Sequence, residues 1–149
     1  MHAYLLDEKG EHQKAAAVLK EAHKKTKSIV LRNAWLDSAI SAGQEDEVLP
    51  ILTREIETSR FSASHRIRRA RLLLAQDPEA SEQDLTLALA ELAPRIKPRS
   101  PDLTLIHDRG LALALLGKKQ EAQRDLALLE ATSISPMSYA QLTRVLRDR

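Results

Sequence analysis

Cysteine is missing from this 149-residue chain, and its absence excludes a disulfide framework and all thiolate chemistry, catalytic or metal-binding. Bacterial cytoplasm and periplasm are both compatible with that, so the localisation stays open. Aromatic residues are almost missing too. Tyr4, Trp35, Phe61 and Tyr139 make up 3% of the chain and are too scattered to form an aromatic box or to stack on successive bases; each is expected to fill a gap between helices. No stretch approaches the roughly 18 uncharged apolar residues of a membrane span, and Met1-His2-Ala3-Tyr4 carries no basic and then apolar targeting signal. Glycine is down to four residues, no two closer than the seven positions between Gly110 and Gly117, which excludes a glycine-rich phosphate cradle. What is present is a helix-forming alphabet rich in Ala and Leu, 43% hydrophobic and 30% charged, with a net charge of +2.

Three of the four glycines head the same phrase. Gly10-Glu-His-Gln-Lys-Ala15, Gly43-Gln-Glu-Asp-Glu-Val48 and Gly117-Lys-Lys-Gln-Glu-Ala122 each lead into an apolar helical run, with Leu19, Leu52 and Leu126 nine positions after the glycine. The glycine is therefore placed in a turn and the remainder on one helical face. The gaps between these glycines, 33 and 74 residues, leave room for one further copy without glycine, counted from Ala80 with Leu85, Leu89 and Leu92. Repetition at this period predicts stacked helix pairs that bury their apolar faces against neighbours.

The pattern predicts a first helix, cut short, before Gly10 and eight more over about 11–25, 28–42, 45–58, 62–76, 81–93, 101–116, 118–131 and 136–146. With nine residues before Gly10, the chain reads as a fragment that begins mid-repeat, Met1 and His2 being candidate cloning residues. Pro50 is placed in the first turn of the fourth helix, where its missing N–H is harmless. Ser62 is expected to cap the fifth helix, Ser81-Glu-Gln-Asp84 to cap the sixth, Ser100-Pro101-Asp102 to open the seventh and Ser135-Pro136 the ninth. Pro94, Pro98 and Pro101 predict a stiff extended link.

These features resemble the tetratricopeptide repeat, best over 103–136. There Gly110 stands at the family's small residue in the first helix of a pair, Gly117 in the turn, Ala122 at the small position of the second helix and Pro136 near the closing proline. Residues 1–149 are accordingly expected to form one all-α domain, a right-handed solenoid of antiparallel helix pairs, with units 1–27, 28–60, 61–98 and 99–134, the first truncated, and a capping helix over 135–149. The family implies a concave surface that holds a partner protein or peptide. Its groove positions map onto Asn33, Asp37, Arg66, His107 and Leu111, but Asp37, Asp108 and Leu111 break the carboxylate clamp of the chaperone-binding members.

The densest local feature is His65-Arg66-Ile67-Arg68-Arg69-Ala70-Arg71. Guanidinium forks at this spacing suit carboxylates and phosphates, and the readings open for it are a solvated face, an acidic protein or polysaccharide partner, and nucleic acid. Segment charges of +2 (1–27), −3 (28–60), +3 (61–78), −1 (79–100) and +1 (101–149) offer a phosphate backbone no continuous track, so nucleic acid is not expected. Arg66 and Arg69 are placed on the partner surface, where replacing both with Glu is expected to change stability by no more than about 0.5 kcal/mol. Lys20, Lys24, Lys25 and Lys27 suit a helix C-terminus. The five histidines show no metal-ligand spacing, and His107-Asp108 has no nucleophile phrase beside it, so neither a metal nor another cofactor is expected. The composite expectation is a non-catalytic interaction scaffold in a bacterial export or envelope-assembly complex such as exopolysaccharide export. The alternative is the effector or oligomerisation segment of a transcriptional regulator or enzyme.

Overall fold

The structure, a computed structural model, describes residues 2–99, 101–132 and 135–148. Among them there are nine α-helices and no strand: α1 His2–Glu8, α2 His12–Thr26, α3 Ile29–Ser41, α4 Glu45–Thr58, α5 Ala63–Leu73, α6 Pro78–Leu92, α7 Leu103–Leu115, α8 Lys119–Ala131 and α9 Ala140–Asp148. The chain divides into two compact units, Met1–Arg54 and Glu55–Arg149, the division falling within α4. Met1, read as a cloning residue, and Ser100, read as a helix cap, lie outside the described residues.

The glycine phrase has one structural meaning at all three sites. Gly10, Gly43 and Gly117 have φ of 78°, 76° and 83°. At the end of α7, Gly117 N–H donates to Ala114 O at 3.0 Å and Lys118 N–H to Leu113 O at 2.9 Å. This is a Schellman closure, in which a left-handed residue folds the backbone over so that the last carbonyls of the helix are satisfied. Gly43 with Gln44, and Gly10 with Glu11, repeat the same pair of bonds. A side chain at φ near 80° would meet its own backbone, which is why glycine stands there. The copy without glycine closes differently. Asp77 N–H reaches Leu73 O at 2.7 Å, and the Asp77 carboxylate then accepts from Ala80 N–H, capping α6 with Pro78 in its first turn.

Several expected caps are therefore not caps. α6 begins at Pro78, so Ser81 and Asp84 lie inside it, both buried. The Ser81 hydroxyl donates to Ala70 O of α5 at 2.9 Å. Ser62 does precede α5, but its side chain makes no cap bond and its backbone N–H and hydroxyl both donate to the Glu91 carboxylate of α6. Asp102 caps α7 by accepting from Thr104 N–H. Pro50 lies beyond the first turn of α4, where it removes an internal backbone bond. The proline-rich link is partly a 3-10 turn over Ala93–Arg95, and Pro136–Tyr139 forms another before α9.

In the first unit α1 and α3 both pack on α2, with Ala15, Ala16, Leu19, Leu36 and Ala39 buried. The Asp7 carboxylate of α1 accepts from the Ser38 hydroxyl of α3 at 2.7 Å and lies 2.8 Å from His12 Nδ1 of α2. In the second unit α7 packs on α5, α6, α8 and α9. One side of it joins Ile67, Ala70, Leu85, Ala88 and Leu92, and the other joins Ala122, Leu129 and Leu142.

Candidate functional site

The arginine helix is where residue type and geometry meet. Ile67 and Ala70 turn into the core, which leaves Arg66 and Arg69, three positions apart, on one flank of α5 facing α6. Both converge on Asp84, whose side chain is 5% exposed. Arg69 Nε donates to Oδ2 at 2.7 Å and its terminal nitrogen to Oδ1 at 2.8 Å, a bidentate fork. Arg66 adds a bond to Oδ1 at 3.1 Å and donates Nε–H to the Ser62 hydroxyl at 3.1 Å. Hydrogen bonding to Asp84, reinforced by its charge against the opposing effect of burial, raises the Arg69 pKa above the ordinary arginine value.

The same device recurs one helix pair later. Arg109 of α7 grips Asp125 of α8 through Nε at 3.0 Å and through its other nitrogen at 2.6 Å, and that bond raises its pKa likewise. Each arginine directly precedes a small residue, Ala70 or Gly110. The small residue lets the helices approach: a Cβ on Gly110 would stand 2.8 Å from Leu142 Cδ2 and 3.1 Å from Asp125 Cβ. Gly110 thus occupies a tight place between α7, α8 and α9.

These contacts correct the reading of Arg66 and Arg69 as stability-neutral surface residues. Their side chains are 23% and 22% exposed and hold a buried carboxylate, so Glu in their place would add two negative charges beside Asp84. Leu111, expected on the partner surface, is 3% exposed and packs with Ile67, Ala70 and Leu115. His107 is half-buried on α7, with Nδ1 3.8 Å from Asp108 and Nε2 buried without a hydrogen-bond partner among the described residues. In the first unit, Asn33 and Asp37 sit one turn apart on α3, both half-buried, and Asn33 Oδ1 is likewise buried without a partner.

Of the lysine group, Lys20 pairs with Glu47 of α4 and lies 5.5 Å from the centre of the Trp35 ring. Lys24 pairs with Glu21, and Lys27 ends α2 in the left-handed conformation. Among the described residues no three His, Asp or Glu side chains are grouped to hold a metal ion, and no helix is long and apolar enough to cross a membrane.

Compared with protein-family models, curated proteins and solved structures, the chain matches none of them.

Sequence reasoning read Asp84 as part of a cap and overlooked Asp125, Arg109 and Glu91. A signal for the first three was present: Arg followed by a small residue, then Asp 15 or 16 positions later. It is a pattern that only two copies carry, and it was masked by the local density of arginine on α5.

Proposed function

We propose that the chain is a non-catalytic scaffold, an α-solenoid of tetratricopeptide type whose first helices in each pair hold a partner protein or peptide. What supports this reading is that each unit has a groove position with a buried polar atom lacking a hydrogen-bond partner among the described residues, Asn33 Oδ1 on α3 in the first and His107 Nε2 on α7 in the second, two of five such side-chain atoms. An unmade bond at a buried polar atom costs about 1–3 kcal/mol, a cost that a partner's donor or acceptor removes on binding. The family's groove positions coincide with these two residues, and the repeated glycine closures support the repeat assignment. A bacterial export or envelope-assembly complex is the setting this reading favours.

The test is to recover a partner by site-specific photo-crosslinking from position 107, purify it and titrate it. Asn33→Ala and His107→Ala are each expected to weaken binding about tenfold, equivalent to about 1.4 kcal/mol, with Tm unchanged or raised. Affinity equal to the parent's in both variants would refute this placement of the site.

A further inference from the structure

In the second unit, the link between α6 and α7 presents cations on a firm footing. Ile96 has an extended backbone, with φ −90° and ψ 105°, and its side chain packs against both apolar clusters of the unit. Side chains alternate sides about an extended residue, so Arg95 and Lys97 are turned away from that core. Both are exposed, as is Arg99. Pro94 and Pro98 bracket the three residues and fix φ at each end, so little backbone freedom is left to lose on binding. Arg95 is held further by Phe61, whose ring centre lies 4.3 Å from the guanidinium carbon. Stacking occupies the face of a guanidinium and leaves its N–H edge for an anion. Arg60, exposed, stands next to Phe61 in the chain. Among the described residues none of these four cations makes an ion pair, whereas Arg66, Arg69 and Arg109 each hold an aspartate. The neighbouring acids are committed elsewhere. Glu91 accepts from the Ser62 backbone and hydroxyl, and Asp102 from Thr104 N–H.

We propose that this basic link docks an extended acidic segment of a partner polypeptide, with carboxylates on alternate residues meeting Arg95 and Lys97. The spacing fits. Residues two apart along an extended chain are about 7 Å apart, so an extended acidic segment repeats its carboxylates at the interval at which the link repeats its cations. Charge complementarity makes the occupant an anion, and the stacked fork of Arg95 suits a planar carboxylate. Two observations favour a polypeptide over a nucleic acid. Arg95 already covers the ring of Phe61, which takes that face from any base, and four cations flanked by Glu91 and Asp102 are a short track for a phosphate backbone. The site uses neither Asn33 nor His107, so it stands or falls independently of them.

The probe is a fluorescein-labelled peptide of alternating glutamate and serine, titrated with the full chain and followed by fluorescence anisotropy at low ionic strength, where screening is weak. A saturable rise is expected. The double variant Arg95→Gln, Lys97→Gln should bind about tenfold more weakly. Lys118→Gln with Arg124→Gln removes two other exposed cations that make no ion pair among the described residues, and should bind within about twofold of the parent. Arg95→Lys keeps the charge but loses the fork, and should bind about threefold more weakly. Circular dichroism of each variant checks that the fold is kept. Several outcomes would overturn the proposal: no saturable rise, equal binding by the two double variants, or Arg95→Lys binding as the parent does. So would tighter binding of an oligothymidylate of equal charge or of phosphatidylglycerol vesicles, which would give the link to phosphate. Self-association in sedimentation that the Arg95→Gln, Lys97→Gln variant loses would give it to a second copy.

Discussion

The two units solve the same problem, fixing one helix on the next, with different chemistry. Trp35 and Ile51 stand eight residues before and eight after Gly43, where Arg109 and Asp125 stand around Gly117. The first unit therefore has apolar residues at the places where the second has a buried ion pair, and Trp35 is 7% exposed. Its polar link is instead Asp7, shared by Ser38 and His12. An apolar pair tolerates sliding and gains with area, whereas a bidentate fork is satisfied in one register only. The second unit is thus the one whose helix pairs are joined by bidentate forks, and it is the one expected to lose more when a single charge is removed.

The largest expected effect follows from that asymmetry. Arg109→Met leaves the Asp125 carboxylate, 4% exposed, without its guanidinium, and is expected to cost about 3 kcal/mol in denaturant unfolding. Arg69→Met should cost less, about 1–2 kcal/mol, since Arg66 still reaches Asp84. Equal losses at the two sites would show that Arg66 contributes nothing. Next comes Gly110→Val, expected to cost about 2 kcal/mol by overpacking against Leu142 and Asp125; a melting curve like that of the parent would show that α9 gives way freely.

Gly117→Val and Gly43→Val should each cost about 1 kcal/mol or somewhat more, since the closure is the same in both units. Here the units are expected to agree, and a loss in one only would mean that the repeat is not structural. The smallest effect is that of alkaline pH. Arg69 and Arg109 have folded-state pKa values raised above the ordinary one, so their contribution is complete below the unfolded value and lost only as pH passes the folded one. Since arginine's ordinary pKa already exceeds about 12, stability between pH 8 and 10 should show no contribution from the loss of either pair.

Much of the fold was legible because its signals are local. A glycine that must be left-handed and an apolar stripe each act within a few residues, so most helices fall close to their expected places, whereas Pro50, expected in a first turn, lies beyond it. What was not legible was whatever depends on a partner distant in sequence. Ser62 reads as a cap, but Glu91, 29 residues away, takes its hydrogen bonds. Ser81 and Asp84 read as a capping box, but Asp77 and Pro78 start the helix earlier and free both side chains for α5. Arg66 and Arg69 read as surface because their aspartate lies 18 and 15 residues further on. Of the candidate site, Leu111 was placed on the surface by a family register, whereas its neighbours Ile67 and Leu115 place it in the core.

A double-mutant cycle across the α7–α8 pair tests most directly whether the second unit is held by its arginine–aspartate forks. Arg109→Met and Asp125→Leu are measured singly and together by denaturant unfolding. If the forks act as described, each single variant loses about 2–3 kcal/mol and the double variant recovers most of it, giving a coupling of at least about 1.5 kcal/mol. Losses that simply add would contradict the account.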